Sequence, residues 1–123
     1  MLCCAHAIFY FQLQGQEQDS FLVHENVYLV DAEDFETALA AGIEIAKSEE
    51  DLSEDGHLRL NDQKVSYVFA GIRKIIDVST TPQRLTAPNM VGLELTYSVF
   101  EVDNLDQVLA LARGEMVEVL YRE

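Results

Sequence analysis

The stretch from residue 27 to residue 50 constrains the fold most, because it predicts a strand that leads directly into an amphipathic helix. Asp31 is placed to cap this helix, and Asp34 adds negative charge to its first turn. Apolar and small side chains then recur every three or four positions, at Phe35, Ala38, Leu39, Gly42, Ile43 and Ala46. One face of the helix therefore belongs to a core, and that face carries no group suited to catalysis.

Four segments predict strands, one of which includes the strand before the helix. Apolar residues alternate with polar ones or form β-branched runs over residues 4–13, 21–30, 65–78 and 93–99. The second strand pattern is interrupted at residues 24–26, which predicts a β-bulge, and Gly71 predicts a bend or bulge in the third. A tight turn at Asn61 and Asp62 joins the third strand to a short strand before it.

The C-terminal part predicts a short helix followed by an ambiguous segment. Asp103 or Asn104 can cap the helix, and Gly114 is placed to end it. Residues 115–121 fit either a last strand or a continued helix, and we favour the strand because the segment contains β-branched and aromatic residues.

The order of these elements predicts the fold class. A chain of 123 residues is long enough for one core and too short for two, so we expect a single domain over residues 1–123. Strands in hairpin order with one long helix predict an α+β fold, in which an antiparallel sheet packs on one principal helix and a short C-terminal helix is added.

Charge limits the classes of partner. The chain has 22 acidic and 8 basic side chains, a formal net charge of -14, which repels nucleic acid and anionic lipid. Acidity of this kind serves solubility alone or matches a basic protein partner. No apolar run could span a membrane, and residues 1–13 lack the pattern of a signal peptide, so we expect a cytoplasmic protein.

The residue types that usually carry chemistry do not form a recognisable motif. Cys3 and Cys4 are neighbours and make no disulfide framework, and the three histidines, His6, His24 and His57, have no metal-binding spacing. Nucleophile-elbow, phosphate-loop and dinucleotide glycine patterns are also missing from the sequence. We therefore predict no catalytic residue and no cofactor.

One weak calcium-loop pattern is present. Asp51, Ser53, Asp55 and Asp62 occupy the first, third, fifth and twelfth positions of an EF-hand loop. However, Asp replaces the glutamate that usually closes the loop, and the sequence that follows predicts a strand where an EF-hand needs a second helix. We favour a polar turn before a hairpin over a calcium site.

Two sets of charged residues are weaker candidates. Arg73, Lys74 and Arg84 could form a cationic spot for a carboxylate or phosphate, although pairing with the surplus acids is the simpler interpretation. Glu94 and Glu101 could line a cleft that a sequence cannot show.

Several segments resemble the bacterial family known as domain of unknown function 4288. The resemblance covers residues 8–13 (IFYFQL), 25–46 (ENVYLVDAEDFETALAAGIEIA), 61–72 (NDQKVSYVFAGI) and 93–100 (LELTYSVF). These segments specify strands, a helix cap and a core. The resemblance implies a small antiparallel α+β domain and carries no site residues.

We hypothesise that the chain is a binding or regulatory module that acts by contact with another protein. The alternative is a small-molecule-binding domain or an enzyme with a carboxylate-lined cleft. Because an antiparallel sheet often leaves an unprotected edge, we also predict a homodimer.

Overall fold

The computed structural model describes residues 1–53, 58–78 and 91–122, and strands predominate, with 50% strand against 21% helix. The elements in chain order are β1 (Leu2–Leu13), β2 (Phe21–Asp31), α1 (Phe35–Ser48), β3 (Arg59–Leu60), β4 (Gln63–Asp77), β5 (Glu94–Val102), α2 (Leu105–Ala112) and β6 (Leu120–Arg122). All neighbouring strands are antiparallel in the order β3-β4-β1-β2-β5-β6, and the sheet curls into a half-barrel.

The two helices pack on opposite faces of this sheet. Alternate side chains of β1 point towards α1, namely Cys3, Ala5, Ala7 and Phe9. Ile8, between two of them, joins Val108 and Leu111 of α2 in a separate apolar cluster. Because both faces of the central strand are apolar, the sheet needs a cover on each side.

The predicted fold, a sheet packed on one principal helix, is therefore wrong. Helix α1 buries only its smallest side chains, Ala38, Gly42 and Ala46, while Phe35 and Leu39 of the predicted apolar stripe remain 53% and 41% exposed. Small residues let the helix lie close to the sheet, since a Cβ on Gly42 would sit 3.0 Å from the Cβ of Ala5. They bury little apolar area, so the strands supply most of the core themselves.

The start of α1 also differs from the prediction. The N-cap is Asp34, whose carboxylate accepts a hydrogen bond from the backbone N–H of Thr37 at 2.7 Å. Asp31 instead ends β2, where it pairs with Leu2 of β1. The strand continues past its apolar pattern because β1 offers backbone partners up to that point.

Several local predictions are confirmed. Asn61 and Asp62 both have positive φ angles, 53° and 66°, in the two-residue turn that joins β3 to β4. Gly71, with φ at 155°, lies between two register shifts of β4 against β1. The cap of α2 is Asn104. The strand favoured over residues 115–121 is confirmed only at its end, since Leu120 and Tyr121 alone belong to β6 and residues 115–119 form no regular element.

Candidate functional site

An open cleft of about 460 Å³ lies on the α1 face of the sheet, beside the C-terminal end of that helix. It is lined by His24 and Asn26 of β2, Tyr67 of β4, Glu94, Tyr97 and Val99 of β5, and Glu49, the C-cap of α1. Three strands and one helix end therefore converge on it. We call it the acidic cleft.

The strand register explains why β2 contributes polar residues here. His24 pairs with Phe9 of β1, and Asn26 pairs with Ala7, so both side chains share the face that α1 covers. Their polarity was interpreted from the sequence as a β-bulge at residues 24–26. That prediction is wrong for the pairing with β1, which continues without a register shift, and the interruption instead marks the floor of the cleft.

A hydrogen-bonded network forms the floor of the acidic cleft. The side-chain amide of Asn26, a residue only 5% exposed, donates to the hydroxyl of Tyr67 at 3.0 Å and to that of Tyr28 at 3.3 Å. The Tyr67 oxygen also lies 3.1 Å from Nδ1 of His24. Because this oxygen already accepts from the amide, its own proton is available to a neutral His24.

Aromatic rings hold this network in place. Tyr67 stacks on Phe9, with ring centroids 4.6 Å apart and planes within 4° of parallel. His24 packs edge-on against Phe11 at 5.0 Å and against Tyr67 at 5.6 Å, and its ring lies 5.8 Å from that of Tyr97. Tyr97 is 57% exposed, so its ring offers a face to a ligand as well as to His24.

The ionisation states follow from burial. Burial lowers the pKa of His24, which keeps the imidazole neutral near pH 7. Burial also raises the pKa of Tyr67 well above the ordinary value for a phenol, so the hydroxyl keeps its proton. Both groups of the network are therefore uncharged.

The charge of the cleft comes from two carboxylates. Burial raises the pKa of Glu94, and the negative charge of Glu49 raises it further. The same two carboxylates contribute, after burial, to the raised pKa values of Tyr28 and Tyr67. No Lys or Arg is among the residues that line this cleft, so the described part of the chain leaves its negative charge unneutralised there.

The opposite face of the sheet carries a second polar cluster, on the α2 side. Glu25 of β2 contacts Nδ1 of His6 at 2.8 Å through one oxygen and Nη1 of Arg73 at 3.3 Å through the other. His6 and Glu25 are each only 14% exposed at the side chain. This cluster contains its own cation. The simpler interpretation of Arg73, that it pairs with an acid of the same chain, is confirmed.

The remaining predicted site residues are separated. Glu101 lies on β5 with Glu94, but it pairs with Arg122 at 3.4 Å and lines a different cleft. Lys74 is exposed on β4, where its Cα lies opposite that of His6, whereas Arg84 lies outside the described residues. The predicted cationic spot therefore reduces to Arg73 and Lys74 within the described part of the chain.

The calcium-loop residues behave as turn and bridge residues. Asp51 makes a backbone bridge to Tyr67, and its carboxylate accepts from the N–H of Ser53 at 3.1 Å. Asp62 lies in the hairpin turn before β4, where an EF-hand would have its second helix. Asp55 and His57 lie outside the described residues. Among the residues that are described, no group of three or more potential ligands is placed to hold a metal ion.

Sequence reasoning included Glu94 but missed Asn26, Glu49, Tyr67 and Tyr97. These residues come from four separate elements, so no spacing along the chain could have grouped them. The one available signal was the polar side chains at alternate positions of an otherwise apolar β2.

Comparisons with protein-family models, with curated proteins and with solved structures found no match. The resemblance to domain of unknown function 4288 therefore stays a prediction. Across the described residues, no helix has the length and apolar character to cross a membrane. Any functional inference must come from the geometry of the site.

Proposed function

We propose that this domain is a binding module whose acidic cleft holds a positively charged group. The observation that carries the proposal is the pairing of two carboxylates, Glu49 and Glu94, with exposed aromatic surface, in a cleft with no cation among the described residues that line it. A ligand cation would supply what Arg73 supplies to Glu25 on the other face.

The chemistry of the cleft favours an ammonium or guanidinium group. A cation over the face of Tyr97 gains a cation–π interaction of about 0.5–1 kcal/mol at an exposed site. The same cation is attracted by Glu94 and relieves its repulsion from Glu49. Neutral His24 and protonated Tyr67 add no competing positive charge near pH 7.

The cation could belong to a free small amine or to a side chain of a basic protein, and both present the same chemistry. The formal net charge of -14 favours encounter with basic partners of either kind and disfavours nucleic acid and anionic membranes. The cytoplasm stays the compartment that we propose.

Titration with n-butylammonium, followed by NMR of the ¹⁵N-labelled protein, tests this proposal. Sodium chloride at equal ionic strength and neutral n-butanol serve as comparison ligands. We expect saturable shifts of the amides around Tyr97 and Glu94, with millimolar affinity, for the ammonium ion alone. Affinity should fall as the pH is lowered from neutrality, because protonation of His24 adds a positive charge and protonation of Glu94 removes a negative one.

Two variants locate the binding. Glu94→Gln and Tyr97→Ala should each weaken ammonium binding about two- to fivefold, which corresponds to the loss of one exposed charge or cation–π contact. Glu33→Gln is the matched control, because it also removes one exposed carboxylate, before the first turn of α1 and far from Glu49. Equal weakening by all three variants, or equal shifts with sodium chloride, would overturn the proposal.

A further inference from the structure

The outer edge of β5 continues the acidic cleft. On its inner side β5 pairs with β2 from Glu94 to Val102, but on its outer side β6 pairs only with Val99, Phe100 and Glu101. No strand of the described chain pairs with the outer edge of residues 94–98. Alternate N–H and C=O groups of this segment therefore point outwards, as at any free sheet edge.

This edge is only partly protected against strand addition. The register of β5 against β2 shifts between Thr96 and Glu94, which places a bulge at Leu95, and Glu94 adds one charge. Residues 94–98 contain no lysine and no proline, the residue types that commonly block an edge. Large apolar side chains are instead exposed at and beside the edge, with Leu93, Leu95 and Tyr97 at 52%, 43% and 57% exposure. Such an edge is suited to a partner strand.

We infer that an extended, basic peptide segment adds a strand to this edge and delivers the cation to the acidic cleft. The inference rests on the proposed function, because it assigns the source of the positively charged group. It also names the binding mode, β-strand addition, in which main-chain hydrogen bonds give affinity and alternate side chains give specificity.

The register of β5 determines which peptide side chains reach the cleft. Tyr97 pairs with Asn26 and Glu94 pairs with Tyr28, so both side chains lie on the α1 face with the cleft, because the register shift at Leu95 lies between them. Thr96 and Ser98 lie on the other face. In an added strand, every second side chain would lie about 5 Å from Tyr97 or Glu94, within reach of a lysine or arginine.

Charge decides between a basic peptide and a second copy of this chain. Pairing two β5 edges would bring together two molecules that each carry a formal net charge of -14. A basic peptide instead approaches with attraction, which raises its association rate. The predicted homodimer is therefore the competing occupant of this edge.

The test uses a capped seven-residue peptide in which lysine alternates with threonine, together with two N-methylated versions. One version is methylated at the lysine amides and the other at the threonine amides. In an added strand only alternate amides point towards β5, so one methylated peptide should lose at least tenfold in affinity while the other stays within about twofold of the parent. Amide shifts of residues 94–98 in the full chain report the binding.

The outcomes separate this inference from the proposed function. If n-butylammonium binds but the two methylated peptides bind equally, strongly or weakly, strand addition is wrong and the cation site stands. If n-butylammonium does not bind, the proposed function is wrong, and the inference that rests on it is wrong as well. Sedimentation velocity tests whether a second copy of this chain occupies the edge. A dimer formed through residues 94–98 at micromolar concentration would assign the edge to that second copy and overturn the inference.

Discussion

The two faces of the sheet place a carboxylate in opposite electrostatic surroundings. On the α2 face, Glu25 is held between His6 and Arg73 and is largely shielded from water. On the α1 face, partial burial and the charge of another acid, Glu49, both raise the pKa of Glu94. Neighbouring residues of β2 serve both arrangements, since Glu25 faces one side while residues 24 and 26 face the other.

This difference separates a structural charge from a binding charge. A carboxylate that has its own cation contributes to the folded state, and removing it leaves that cation without its partner. A carboxylate that faces a like charge destabilises the folded state, and a bound cation reduces that repulsion. The two sites should therefore respond to the same chemical change, Glu to Gln, with opposite signs.

The largest expected effect is on the α2 face. Glu25→Gln should lower the free energy of unfolding by about 1–2 kcal/mol, because Arg73 and His6 lose a charged partner while Arg73 stays partly solvated. Urea denaturation at pH 7 measures the change. The matched control is Glu101→Gln, which breaks the more exposed pair with Arg122 and should cost less than about 0.5 kcal/mol. Equal losses in the two variants would mean that Glu25 has no special structural role.

An intermediate effect is expected at the floor of the acidic cleft. Tyr67→Phe removes the hydroxyl that accepts from Asn26 and should lower the free energy of unfolding by about 1 kcal/mol. Tyr121→Phe, at a tyrosine that is 71% exposed, is the control and should change little. In the Tyr67 variant, NMR titration should still show a lowered pKa for His24, because burial causes that lowering. A return to the ordinary histidine value would assign the lowering to the hydroxyl instead.

The comparison also shows what the sequence could predict. Alternation along β1, β4 and β5 predicted strands, and the turn at Asn61 and Asp62 was visible because polar turn residues stand between strand patterns. The apolar pattern of α1 led us to expect that this helix covers most of the core. Periodicity alone does not show whether a helix buries leucine or only alanine and glycine. The sheet was therefore expected to rest on one helix, whereas it is covered by two.

The acidic cleft could not be predicted, because it depends on register. Tyr67 reaches across β1 to β2, and its neighbours along the chain give no sign of this contact. His24 and Asn26 disturbed the apolar pattern of β2, but a bulge explains such a disturbance equally well from sequence alone. Only the unbroken pairing of β1 with β2 shows that both side chains lie on one face.

The smallest expected effect is the reverse of the first and concerns stability without ligand. Glu94→Gln should raise the free energy of unfolding at pH 7, by less than about 1 kcal/mol because the side chain is exposed. The sign follows from the raised folded pKa of Glu94: above it, the ionised group disfavours the folded state, and this penalty disappears as the pH falls through that pKa. His24 acts in the opposite direction, since its lowered pKa makes stability fall as the pH drops through the ordinary histidine value, about 6.5.

The difference between wild type and the Glu94 variant isolates the Glu94 contribution, because His24 is present in both. Urea denaturation of the two proteins at pH 7 and near pH 4.5 should show an advantage for Glu94→Gln at pH 7 that shrinks at the lower pH. Sodium chloride at about 0.5 M, where the Debye length is below about 5 Å, should raise wild-type stability and reduce the same advantage. Glu33→Gln should show no such advantage at pH 7, because this carboxylate lies beside the N-terminus of α1, where negative charge is favourable. A Glu94 variant less stable than wild type at pH 7 would mean that this carboxylate has a stabilising partner, and the contrast between the two faces would then be lost.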